Sequence, residues 1–192
     1  MTSSATDNPL AETGFALFET AIGTCGVVWT SRGIKSIQLP EHDADATRAR
    51  ITRRFPEAKP TEMPVDVLLA IGRIVALLRG QHVDLRPIAL DMDAVPEFDR
   101  AVYAAAREIP AGETVTYGTI AKQLCQPDAA RDVGAALGRN PFAIIVPCHR
   151  VVAANGKTGG FSARGGVETK LKLLSIEGGN GPLFGWGAVA EP

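Results

Sequence analysis

The chain is poor in the features that would assign it to several large protein classes. It has three cysteines in 192 residues, Cys25, Cys125 and Cys148, far apart and without the spacing of a disulfide framework. That sparing use fits a reducing compartment. Charge of one sign is also missing: 20 basic against 21 acidic residues leave a formal net charge of −1, so any nucleic-acid contact must rest on a local basic surface. Long apolar runs are absent, with no stretch approaching the ~18 residues of a membrane span. Met1–Asp7 carries no basic region followed by an apolar run, the mark of an export signal. A cytoplasmic location is expected, or a nuclear one in a eukaryote, with no membrane partner. Histidines number three, and Cys25, His42 and His82 do not share a metal-ligand spacing, so no metal is expected.

What the chain does have is 45% hydrophobic content, enough to bury a core in one large unit or two small ones. After a polar start, Gly14–Thr20, Thr24–Thr30 and Ile34–Leu39 are short β-prone runs broken at Gly23 and Ser31-Arg32-Gly33, the pattern of an antiparallel meander. Asp43–Phe55 and Asp66–Arg79 have helical periodicity and stop at Pro56 and Gly80. The first carries Arg48, Arg50, Arg53 and Arg54, which read as a solvated face. Val83–Leu90 has the composition of a returning strand, and the polar segment Asp91–Pro96 then suggests a boundary. The expected division is 1–94, 95–179 and a tail at 180–192.

The second half is mainly helical. Phe98–Ile109, Thr116–Leu124 and Ala129–Leu137 have helical spacing; the last two, joined by a short turn with Asp128 as the expected cap, form a helix-turn-helix. Val167–Glu177 is a final helix with Val167, Leu171 and Leu174 expected inward. Between them lies Ile144–Val152, whose β-branched residues and Pro147 read as a short buried strand. At its break stand Cys148 and His149. A thiol beside an imidazole can be held as the nucleophilic thiolate. Neighbouring side chains of an extended segment point to opposite faces, so the chain must bend there or a water must relay the proton.

Pro147-Cys148-His149-Arg150-Val151, with Asn140-Pro141, Ala129-Ala130-Arg131-Asp132-Val133-Gly134, Pro110–Tyr117, Gly160-Phe161-Ser162 and Leu173–Glu177, resembles the O6-alkylguanine-DNA alkyltransferases (methylated-DNA–protein-cysteine methyltransferases). The motifs occur in order across nearly all of the second half. The resemblance implies an α+β fold, with a ribonuclease-H-like strand-and-helix domain followed by a mostly helical, winged-helix-like domain.

It also implies irreversible, single-turnover transfer of an alkyl group from guanine O6, or thymine O4, in double-stranded DNA to Cys148. The implied protein is a monomer without a cofactor. On this reading His149, oriented by Glu177, takes the thiol proton through a water, and Asn140 braces the turn. Tyr117 protonates the departing base. The Val151 carbonyl accepts from the guanine amine, Ser162 donates toward O6, and Phe161 offers a stacking face where many relatives have tyrosine. A thiol cannot reach O6 inside a duplex, so the nucleotide must be flipped out. Arg131 would fill the vacated stack, while Ala130, Gly134 and Tyr117 approach the minor groove. Two other readings are a non-reactive binder of alkylated DNA, against which the thiol speaks, and a cysteine hydrolase, whose dyads unite residues distant in sequence.

Overall fold

The computed structural model describes residues 13–154 and 165–178. The meander forms as expected: β1 (Gly14–Thr20), β2 (Gly23–Thr30) and β3 (Gly33–Gln38) pair antiparallel in sequence order. A two-residue strand, β4 (Lys59–Pro60), adds parallel to β1 at the outer edge, giving the order β3-β2-β1-β4. Side chains of successive strand residues face opposite sides. Phe15 and Val28 therefore pack with Ile51 of α1 (Ala44–Arg54) in a small cluster, while Val27 and Trp29 join the main core. Asp43 caps α1 by accepting from the Ala46 amide at 2.7 Å.

The main core is continuous across both halves. It joins Val27 and Trp29 to Ile74 and Leu77 of α2 (Val65–Leu78), and to Val102, Tyr103, Ile120, Val133 and Leu173 further along. Val83–Leu90 does not return as a strand. It has only an isolated bridge at Leu90, with Ile34 donating to Ala89 and accepting from Asp91. Pro87, which has no amide to donate, interrupts any longer ladder.

The second half contributes α3 (Glu97–Arg107), α4 (Tyr117–Gln123), α5 (Ala130–Gly138) and α6 (Val167–Ile176). Together these elements make a mixed α+β fold with six helices among the described residues. The connection between α4 and α5 spans Leu124–Ala129, longer than expected, because Cys125 takes a left-handed backbone conformation (φ 58°) and a further turn follows it. Asp128 does not cap α5; the cap position falls on Ala129, which has no side-chain acceptor. In α6 the buried positions are Lys170, Leu173, Leu174 and Glu177, while Val167 is 41% exposed. The inward face thus follows i, i+3, i+4, i+7 with a charged residue at each end; of the expected stripe Leu174 lies inward as expected, Leu171 is half-buried and Val167 faces out.

A buried cysteine–histidine site

Ile144–Val146 is a tight turn and not a strand. Val146 donates back to Phe142, Ile145 donates to Ala143, and Ile144 sits at φ 73°, unusual for a β-branched residue. Such a conformation costs on the order of 1–3 kcal/mol and persists only when its surroundings impose it. Asn140 does so: its Nδ2 donates to the Val146 carbonyl at 2.9 Å, and its Oδ1 accepts from the Phe142 amide at 2.8 Å. The turn is also fastened to the first half, since the Pro141 carbonyl accepts from the Ile37 amide and the Ser36 hydroxyl. Pro147 then leads into a single 3₁₀ turn, Cys148–Arg150, the bend that a neighbouring thiol and imidazole require. Beyond it, β6 (Val151–Val152) pairs parallel with β5 (Val115–Thr116), which sets Tyr117, the first residue of α4, close to the site.

His149 and Glu177 are both buried, and His149 Nε2 lies 2.9 Å from Glu177 Oε1. Arg150, not singled out from the sequence, grips the same carboxylate. Its Nε donates to Oε2 at 2.9 Å and its Nη2 to Oε1 at 2.8 Å, while Nη1 donates to the Ile109 carbonyl. Burial alone would raise the pKa of Glu177, but the hydrogen bonds from His149 and Arg150 outweigh it and hold the group at about 2. Burial lowers the pKa of His149 more than Glu177 raises it. An ionised Glu177 can only accept, so a neutral His149 must carry its proton on Nε2. Nδ1 is then a lone pair, and it is buried without a hydrogen-bond partner among the described residues. This is a base held in one tautomer with its accepting nitrogen free. Gly112 makes room for the arrangement: at φ 84° it lies so near the Glu177 backbone that a Cβ would come within 3.0 Å of that carbonyl oxygen.

Cys148 keeps partial exposure. Desolvation raises its pKa, opposed by the Asn140 side chain, the charge of Lys170 and the backbone amides of Cys148 and His149. Lys170 was invisible in the sequence reading. It is fully buried, its Nζ donates to the Val151 carbonyl at 2.6 Å, and burial brings its pKa down to about 8. The Val151 oxygen keeps a second lone pair for another donor. Tyr117 is half-buried; burial, and then the charge of Cys148, raise its pKa, which keeps the phenol protonated as a donor.

The α5 face is of another kind. Gly134 faces the Tyr117 ring, with 3.8 Å from the position of a Cβ to the ring carbons, and Ala130 is half-buried. Arg131, Asp128 and Asp132 are exposed. Neither acid forms an ion pair among the described residues. The structure brings Cys148, His149, Glu177, Asn140, Tyr117 and Val151 into one region and leaves Arg131 on an outer helix. Phe161 and Ser162 lie outside the described residues.

Comparison with known proteins identifies the family. Residues 97–179 match the family model described as 6-O-methylguanine DNA methyltransferase, DNA binding domain. A methylated-DNA–protein-cysteine methyltransferase of Mycobacterium bovis is 42% identical over 152 residues, covering 78% of this chain and 90% of that protein. One from Methanosarcina acetivorans is 55% identical over 82 residues, which span 43% of this chain and only 51% of that relative. Among solved structures, Mycobacterium tuberculosis OGT in complex with DNA superposes with a TM-score of 0.68 at 30% identity, covering 85% of this chain and 92% of that one. The chain belongs to the methylated-DNA–protein-cysteine methyltransferase family.

Proposed function

We propose that this protein repairs DNA by direct reversal, moving an alkyl group from guanine O6 in double-stranded DNA onto Cys148 once per molecule. The observation that carries the reading is the buried Arg150–Glu177–His149 chain ending, on the residue that follows the cysteine, in an Nδ1 without a partner among the described residues. Nδ1 takes the thiol proton through a water. The thiolate attacks the alkyl carbon in line, a carbon–sulfur bond forms, and the carbon–oxygen bond breaks with its electron pair passing to the guanine. Tyr117 donates a proton to the base as that charge develops. Asn140 holds the turn that presents the sulfur. Val151 and, outside the described residues, Phe161 and Ser162 contact the flipped base. No group in this set cleaves a thioether, so the alkylated protein is spent. Thymine O4 presents the same kind of alkyl–oxygen bond.

DNA reaches the site along α5, where Ala130 and Gly134 permit close approach and Arg131 fills the place of the flipped nucleotide. The α4–α5 pair with the small β5–β6 ladder supports a winged-helix-like description of 95–179. The meander and its packed helices support a ribonuclease-H-like description of the part before the Asp91–Pro96 linker. The protein works as a monomer without cofactor. Peptide mapping after incubation with an O6-methylguanine duplex tests the assignment: the methyl group is expected on Cys148. Its recovery on Cys25 or Cys125, or as free methanol, overturns it.

A further inference from the structure

A cavity of about 340 Å³ opens between the end of α1, β3, the linker 91–96 and the 139–142 turn. This volume is in the range that takes small organic ligands. Beneath it Tyr103 and Phe142, both fully buried, pack edge to face with ring centroids 6.1 Å apart, and Phe55, Val95 and Pro96 line its walls. Two cations lie over the Phe55 ring at the rim, Arg54 at 5.2 Å and Lys35 at 5.5 Å from its centroid. The other charges lining the cavity are matched: Arg32 pairs with Asp91 and Asp93, and Arg139 grips Asp99 through two hydrogen bonds. Lys35 has only the exposed Glu57. Arg54 has no carboxylate within ion-pair distance among the described residues, although burial and then the charge of Arg50 both work against its protonated form. An unpaired guanidinium beside a second cation, at the mouth of a cavity walled by Phe55, Val95 and Pro96, is a binding surface for negative charge carried on a flat apolar body.

We propose that this cavity binds a small aromatic anion, with its ring against the edge of Phe55 and the Val95–Pro96 wall and its anionic group between Arg54 and Lys35. The site is distinct from the Cys148 region but mechanically joined to it. Phe142 donates to Asn140, and Pro141 is held by β3, so an occupant braces the turn that presents the thiol.

Calorimetric titration of the full chain with 2-naphthalenesulfonate tests this, with neutral 2-naphthol and inorganic sulfate as comparison probes. The arene sulfonate is expected to bind at one site, with amide shift changes in a nuclear magnetic resonance spectrum centred on Phe55 and Phe142. Arg54→Gln should weaken it about tenfold, as loss of one charge-assisted contact does, and Lys35→Gln should weaken it less. Unchanged affinity in both variants overturns the site. So does sulfate binding as tightly as the arene, or displacement of the arene by an O6-methylguanine duplex, which would place it on the DNA-contacting face.

Discussion

The Cys148 region and the outer face of α5 use charge in opposite ways. Around the cysteine, His149, Arg150, Lys170 and Glu177 are each less than a tenth exposed, and each has a hydrogen-bond partner. On α5, Arg131 and Asp132 are exposed, with Asp128 just before them, and Val133, Ala136 and Leu137 hold the inner side. A buried charge network costs desolvation and returns fixed geometry and fixed proton positions. An exposed helix face costs little and fixes little, which suits a surface that meets its partner only in passing. The difference teaches that chemistry is set inside this protein, while access to the substrate is set outside it, and the two should fail separately when mutated.

The largest effect is expected from Arg150→Met. Glu177 would keep His149 but lose its two contacts from the guanidinium, leaving a buried carboxylate underpaired, so unfolding in urea should show a loss of about 3–5 kcal/mol. A change within error would mean that the network is not a stability element. On the other side of the comparison, Arg131→Ala should slow repair of duplex DNA about a hundredfold, equivalent to a few kcal/mol of unstacking no longer offset. Its reaction with free O6-benzylguanine should barely change, because a free base needs no flipping. Equal losses on both substrates would place Arg131 in support of the pocket and break the separation.

Glu177→Gln should slow transfer at least about tenfold while leaving DNA binding nearly intact, since it disturbs the proton path and the buried pair with Arg150 but not the α5 face. The same residue sets an acid limit. With a folded pKa near 2, below the ordinary carboxylate value, Glu177 stabilises the fold fully above that ordinary value, and the contribution is lost as pH falls toward 2. This term is on the order of 3 kcal/mol, and the variant should lose less stability over that window. The smallest effect concerns Lys170, whose pKa lies near 8. Below that pH its charge favours the Cys148 thiolate; above it the ammonium deprotonates and the help ends. Lys170→Met should therefore slow iodoacetamide labelling of Cys148 several-fold below pH 8, with the two rates converging above it. Parallel rates across the whole range would remove Lys170 from the thiol's environment.

Much of this was legible in the sequence where one physical rule governed. Short β-prone runs broken at Gly23 and Ser31-Arg32-Gly33 point to the meander, and 3.6-residue periodicity points to the helices. Ordered motifs named Cys148, His149, Asn140, Tyr117 and Glu177 before any coordinates. Legibility ended where tertiary contacts override local preference. Ile144–Val146 looks like a strand because β-branched residues favour extension, yet the two hydrogen bonds of Asn140 fold it into a turn with Ile144 left-handed. Lys170 and Arg150 look like surface cations, and nothing local reveals that one meets the Val151 carbonyl and the other Glu177. The inward face of α6 departs from its apolar pattern for the same reason, since the Val151 carbonyl pairs with Lys170 and lets a lysine take a buried position.

The central claim, that the buried network serves a cysteine used once, is tested most directly by counting. Purified protein is mixed with an excess of duplex carrying O6-methylguanine, and restored guanine is measured at completion against intact-protein mass. One guanine restored per protein molecule, with every reacted chain carrying one methyl group, is the expected result. Continued restoration beyond one equivalent, or restoration with the protein mass unchanged, would contradict it.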